Sequence, residues 1–308
     1  MEVEAFQRLA PEGFYKRFVS KGIRPDGRKF HEIRKMNIDL GVLPLTHGSA
    51  MVRLGATKAV AAVSLQIGQP ATLTPNCGEI SVGVALRPLC HPNFPASQHC
   101  RTAQQMESFL TRLLNTCGIV SPESLCITPG AAAWRVCIDI LCLNHQGNLI
   151  DVCLAAAVSA LRCTRLPQLE APDHPGGAYQ IHPVGAGESR ALELVHIPVA
   201  LTLGVFPALS HHSGTTEHGT GDRDTPPGGG GGKMPVLVAD PSLLEEGLME
   251  SVVTVVRNER GQINAVFKPG GCKLPGDCLN VCLALCTSQH KIFSSLLAEA
   301  TAMRNRAS

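Results

Sequence analysis

The sequence predicts an α+β fold, and three observations carry that assignment. Short β-prone runs separated by glycine-bearing turns fill the first third of the chain. Two stretches repeat apolar residues at helical spacing, and a strand-turn-helix passage, "IDILCLNHQGNLIDVCLAAAVSAL" at 138–161, stands before a second set of strands. The resulting order of sheet, helix, strand, helix, sheet, helix requires at least one βαβ crossover and sheets packed with helices.

Each element follows from its residues. A short helix is expected over 13–20, then the turn Arg24-Pro25-Asp26-Gly27-Arg28, whose arginines could bridge to a neighbour or pair with Asp26. Strands at 38–42, 49–54 and 58–65 form a meander around the turns at 46–49 and 55–57. Ile80, Val82, Val84 and Leu86 alternate with small residues, giving a strand expected to pair with those three. In the helix at 103–115, Met106, Phe109, Leu110, Leu113 and Leu114 share the buried stripe, leaving Arg101, Glu107 and Arg112 for solvent. A strand follows at 134–143, then a helix at 149–161 whose alanines allow close packing on a sheet.

Residues 170–189 carry Pro172, Pro175 and Pro183 without an apolar period and read as a loop. A strand at 195–206 precedes "PALSHHSGTTEHGTGDRDTPPGGGGGK", which has too few large apolar groups to offset its ordering entropy. That stretch is expected to be a disordered insertion, 207–234, between two strands that pair. Its glycines and Lys233 resemble a phosphate loop in composition only, because Met234 stands where Ser or Thr must hold magnesium. The tail reads as a strand at 252–257, a turn at 258–262, a strand at 263–267 and a long helix at 275–303. The expected organisation is a single domain with an N-terminal extension, 1–23, and a core formed by 24–206 and 235–303.

Composition narrows the function classes. A formal charge of +2 provides no global basic field to hold nucleic acid, so any RNA contact is local or shared with partners. The charged fraction, 17%, is low for a fully solvated monomer and suggests faces covered by neighbours. Met1-Glu-Val-Glu places acids where a signal peptide needs basic residues, and no apolar run reaches the ~18 residues of a membrane span. With two tyrosines and one tryptophan there is no aromatic stacking platform of a lone RNA-binding module. The 13 cysteines are an odd number set mostly in apolar runs, as expected of free thiols in a reducing compartment. Cys278, Cys282 and Cys286 share one helix face, but no CxxC pair or spaced histidine accompanies them, so no metal is expected. His211, His212 and His218 in the insertion are read as inert.

Four passages, in order, carry a resemblance. They are "RPDGR" at 24–28, "GSAMVRLGATKAVAAV" at 48–63, "LCITPGAAAWRVCIDILCLNHQGNLIDVCLAAAVSAL" at 125–161 and "LVADPSLLEEGLMESVVTVVRNERGQINAVFKPGG" at 237–271. Together they resemble the RNase PH family, and within it the exosome ring subunits of the ribosomal RNA-processing 42, 43 and 45 types. The opening "FYKRFVSKGIRPDGR" puts the 43 type, also called exosome component 8, first. The resemblance implies an RNase PH-like domain of the ribosomal-protein S5 domain 2 type, six copies of which form a ring around a channel for single-stranded RNA. It also implies other RNase PH-like ring subunits, cap subunits and RNA as partners, no membrane, and a nuclear, nucleolar and cytoplasmic distribution. Active members split RNA from its 3′ end with inorganic phosphate.

That chemistry needs an anion cradle, a carboxylate pair and arginines on the RNA backbone. Active members place Gly-Thr-Arg or Gly-Ser-Arg at the helix start; the matching residues here are Gly147-Asn148-Leu149, so Leu149 replaces the cation. Asn148 is expected to cap the helix, with Asp151 reaching back as in a capping box and repelling phosphate. Two aspartates six residues apart in active members match Asp240 and Glu246, the latter longer by a methylene. The competing reading makes Asp240 a turn residue before Pro241, and Glu245 and Glu246 a solvated turn face. Where active members cluster arginines, Arg87 and Arg101 remain as weak RNA contacts, with His91 and His99. The expectation is a catalytically silent structural subunit of the RNA exosome, supporting 3′ to 5′ degradation and rRNA processing, without cofactor or metal. The alternative is an active phosphate-dependent 3′ to 5′ exoribonuclease.

Overall fold

The computed structural model describes residues 9–96, 100–170, 179–181, 189–206, 236–274 and 276–307. The insertion at 207–234 with its three histidines and Lys233, most of the 170–189 loop, and His99 lie outside the described residues.

The chain begins with α1 (Pro11–Val19), whose Phe14 and Tyr15 pack against Phe206 and Val238 of the second sheet. β1 (Met36–Leu40), β2 (Gly48–Leu54) and β3 (Thr57–Gly68) form the expected meander. β4 (Glu79–Ala85) does not join it. α2 (Arg101–Thr116) and a short strand, β5 (Cys126–Thr128), intervene before β6 (Ala132–Asn144), which lies between β3 and β4. β6 is antiparallel to β3 and parallel to β4, so the sheet order is β1-β2-β3-β6-β4. The expected pairing of β4 with the first three strands is thus corrected: the crossover through α2 returns the chain parallel, and β6 takes the inner place.

β4 is left as a sheet edge, and α2 covers it. Glu107 Oε1 accepts the Val84 N–H at 2.9 Å, Thr111 Oγ1 that of Val82 at 3.1 Å, and Asn115 Oδ1 that of Ile80 at 3.1 Å. Residues four apart on a helix and two apart on a strand advance by similar distances, so one stripe of side chains satisfies alternate edge donors. Glu107 is therefore not on the solvated face. Asn115→Ala is expected to cost about 1 kcal/mol, with faster amide exchange at Ile80. Unchanged exchange there would show that the edge protects itself.

α3 (Leu149–Arg162) follows β6 and is buried from Asp151 to Leu161 on every side. A helix apolar all round must lie between layers, and α3 packs on β2 and β3 on one side and β11 on the other. Short strands β7 (Arg165–Pro167) and β10 (Ser189–Ala191) pair, as do β8 (Leu169–Glu170) and β9 (Gln180–Ile181). The second sheet is β12-β11-β13-β14, built from β11 (Val199–Phe206), β12 (Val236–Ala239), β13 (Ser251–Arg257) and β14 (Ile263–Phe267). β11 starts later than expected, since Val195 is exposed and Pro198 supplies no ladder donor. The strands flanking the insertion do pair, Leu203 opposite Ala239 through Phe206 opposite Val236.

α4 (Leu243–Glu246) is a single turn between β12 and β13, and α5 (Gly276–Ala307) closes the fold. Within α5 an 18-residue window reaches a mean hydropathy of 1.2, so by length and composition alone the helix could cross a membrane. The apolar face is used on the second sheet instead: Cys278, Cys282 and Cys286 are buried against Leu201, Leu203, Val253 and Val255. No group of three metal-ligating side chains exists among the described residues.

Candidate functional site

Three segments converge at the N-terminal end of α3: the β6–α3 turn, the β12–α4 turn and the chain around Arg24 to Arg34. Gly147 enters the helix at φ +92°, and a Cβ there would sit 2.4 Å from the Pro241 carbonyl oxygen, so only glycine lets the two turns touch. Among the described residues, Asn148 (φ 58°) and Asp240 (φ 48°) are the non-glycine residues in left-handed conformation. Asn and Asp tolerate that region best, and both sit at this junction.

Asp240 is fully buried and is the hub. Arg34 grips it with Nε on Oδ2 at 2.8 Å and Nη2 on Oδ1 at 2.7 Å, and the Arg34 N–H adds a third bond at 2.9 Å. Arg28 Nη1 reaches Oδ2 at 3.0 Å and Asn148 Nδ2 reaches Oδ1 at 2.9 Å. Burial alone would raise the Asp240 pKa, but the Arg34 bonds and charge, with Asn148, hold it below the usual carboxylate range. With both oxygens on guanidinium and amide donors, this carboxylate does not fit a divalent cation. The reading of Asp240 as a turn residue is corrected: at its φ the backbone turns, while the side chain anchors the core.

The helix start differs from a self-satisfying cap. Asn148 makes no side-chain cap bond; its Nδ2 bridges Asp240 and, at 2.8 Å, Asp151 Oδ2. Asp151 reaches back to the Asn148 side-chain amide but not to its backbone N–H, as a capping box would require. It accepts from the Thr202 N–H at 2.9 Å and Thr202 Oγ1 at 2.7 Å, and burial raises its pKa to about 6. The Asn148 N–H goes instead to Glu246 Oε1, at 2.7 Å. A carboxylate from another part of the chain thus sits where an N-terminal anion would bind. Burial raises the Glu246 pKa to about 7; the Asn148 N–H and Arg34 oppose the rise, and Asp240 and Asp151 add to it.

Glu245 and Glu246 are not a solvated face. Glu245 is buried and pairs with Arg24, whose Nε donates to Oε1 at 2.9 Å and whose Nη2 contacts Oε2. Arg24 also donates to the carbonyls of Ala239 at 2.8 Å and Asp240 at 3.0 Å. Arg28 pairs with both Asp26 and Asp240. The choice left open for these arginines therefore falls to intrachain anchoring of the β12–α4 turn.

Above this junction lies a cavity of about 640 Å³. Leu149 and Glu246 line it, with Asn148, Thr202, His145 and Phe94 among the remaining wall. Asp240 is not part of the wall, and no lysine or arginine among the described residues lines it. His145 is neutral at pH 7, its pKa lowered to about 4 by burial and by the nearby His91 and Arg34 charges. A groove of about 430 Å³ adjoins, sharing Gln105, Phe267 and Pro269 and adding Arg101 and Arg112. Arg87 stands apart, donating to the Ala96 carbonyl at 2.8 Å. Arg34 and Thr202 escaped the sequence reading: each is one polar residue without a spacing signal, made important only by folding distant segments together.

Comparisons place these features among known proteins. The model of the 3′ exoribonuclease family, RNase PH, domain 1, matches residues 32–167, and domain 2 matches 230–288. The chain is 29% identical to the exosome complex component RRP45A of Arabidopsis thaliana over 95% of this chain and 86% of that protein. It is 32% identical to the exosome complex component Rrp42 of Thermoplasma volcanium over 80% and 79%. The fold is similar to a chain of the Archaeoglobus fulgidus exosome with RNA bound to the active site, with TM-score 0.70, 24% identity and coverage of 96% and 97%.

Proposed function

Because the chain belongs to the RNase PH family of 3′ exoribonucleases, we propose that it is a non-catalytic structural subunit of an RNA exosome ring. The ring would contain other RNase PH-like subunits, cap subunits and RNA, and would act in RNA degradation and processing. The observation that carries the silent assignment is the occupied cradle. Leu149 stands where active members have arginine, and the Asn148 N–H is bonded to Glu246 at 2.7 Å. An incoming phosphate would find no lysine or arginine in the wall among the described residues, and a carboxylate on its donor. Leu149, Asp240 and Glu246 are thus degenerate positions. Arg101, exposed on the adjoining groove, is the better placed of the two weak RNA contacts, since Arg87 is engaged with Ala96.

Within the family we assign the 43 type on the opening segment 14–28, although the relatives quoted carry 42 and 45 names. In a reconstituted ring lacking only the 43-type subunit, this chain should fill the vacant place. A nuclear and cytoplasmic distribution follows from that role.

The test is decay of a 5′-labelled unstructured RNA, with and without orthophosphate, by the chain alone and with ring partners. The chain alone should leave the RNA intact yet enter a stoichiometric ring. Leu149→Arg alone should not create phosphorolysis, because Glu246 still holds the N–H. Phosphate-dependent shortening by the unmodified chain would overturn the proposal.

A further inference from the structure

We propose that the pocket between α1 and the second sheet is a docking site for one arginine side chain of a partner protein. Three segments close it: α1, the end of β11, and the link from α4 to β13. It holds about 210 Å³. Small-molecule sites begin near ~300 Å³, so this pocket is sized for a single anchoring side chain rather than a cofactor. Arginine is among the residues that most often anchor an interface in this way.

Walls and rim differ in chemistry. Tyr15 and Phe206, both buried, set their rings 21° from parallel with centroids 6.5 Å apart, and Val19 and Leu248 add aliphatic surface. Such walls suit the apolar stem and flat guanidinium of arginine, which packs on aromatic surface better than the compact, strongly hydrated ammonium of lysine. The rim is acidic. Glu12 and Glu250 are exposed in the lining, and Lys16 is the one lysine or arginine there among the described residues. Lys16 Nζ already lies 3.6 Å from Glu12 Oε2. The Glu250 N–H donates to the Val205 carbonyl at 3.0 Å, while its carboxylate has no hydrogen bond or ion pair among the described residues. Two carboxylates against one ammonium leave a single negative charge, which one guanidinium matches. An apolar anchor would leave that charge unanswered, and an acidic one would be repelled. The pocket shares no lining residue with the cavity at the start of α3, so the proposal does not depend on whether that cavity is silent.

The test is a titration of the full chain, followed by backbone amide resonances, with blocked peptides Gly-Gly-Xaa-Gly-Gly in which Xaa is arginine, lysine or leucine. The arginine peptide should bind at millimolar concentration and shift amides within 12–19 and 248–250. The lysine and leucine peptides should bind more weakly, leucine by about fivefold or more. Glu250→Gln should weaken the arginine peptide by about threefold, the effect of one exposed ion pair, and Glu250→Lys should remove binding. Added salt should weaken it too, since the charges are exposed. Glu250 is on the surface, so both variants should keep the parent's resonances elsewhere. Leucine binding as tightly as arginine, shifts confined to other residues, unchanged affinity in Glu250→Lys, or no binding at millimolar concentration would each overturn the proposal.

Discussion

Asp240→Ala is expected to lower stability by about 3–5 kcal/mol, the loss typical when one partner of a buried ion pair is removed. The alanine would leave Arg34 and Arg28, each about one-tenth exposed, without their shared carboxylate, and would free the Asn148 amide. Against a total stability of roughly 5–15 kcal/mol, the variant should unfold at much lower denaturant or accumulate poorly. Asp39→Ala is the control: it breaks an ion pair with Arg53 in which both side chains are well exposed. Such pairs contribute at most about 1 kcal/mol. Chemical denaturation of both variants tests the contrast, and equal losses would mean that the Asp240 hub is no more than a surface pair.

Glu246→Gln should behave in the opposite way and stabilise the chain at pH 8. The folded carboxyl has its pKa raised from 4.5 to about 7, so it favours the protonated form more than the unfolded chain does. Below pH 4.5 both states are protonated and the group's favourable contribution is complete. As pH rises through the window to about 7, the unfolded state ionises first and that contribution is lost. The displacement corresponds to roughly 3 kcal/mol. Asp151, raised from 3.8 to about 6, adds a slope of the same sign. Asp240 acts in reverse, because its lowered pKa gives stability that is lost as pH falls below its unfolded value. Glutamine retains an oxygen for the Asn148 N–H but carries no charge beside Asp240 and Asp151. Thermal unfolding between pH 5 and 8 should therefore show a flatter profile for the variant and a higher midpoint at pH 8. A variant less stable than its parent at pH 8, with the parent's slope, would refute the buried-carboxyl account.

Much of the architecture was legible in the residues because periodicity is local. The meander at β1 to β3, the α2 stripe through Met106 and Leu113, the alanine-rich α3 and the β13–β14 hairpin each declare themselves within a window of a dozen residues. The position of β4 did not, since the alternation in Ile80 to Leu86 shows a strand with one buried face and says nothing about its neighbour. Glu107 reads as solvated for the same reason: a helix pattern does not show that a strand edge lies beside it.

At the site the division is sharper. The substitution of Leu149 for a cation, the retention of Asp240 and the lengthened Glu246 are properties of single positions and could be read directly. What the carboxylates do could not. Glu246 is 98 residues from Asn148, Arg34 is 206 from Asp240, and Arg24 is 221 from Glu245. Charge beside Pro241 and in the turn after it looks like solvated turn chemistry until the fold buries it, and only burial turns a carboxylate into an anchor or raises its pKa. The sequence by itself thus determined the elements, the family resemblance and the missing cation. Tertiary structure alone decided which carboxylate occupies the helix start, because hydrogen bonds and desolvation depend on distances in space that folding creates.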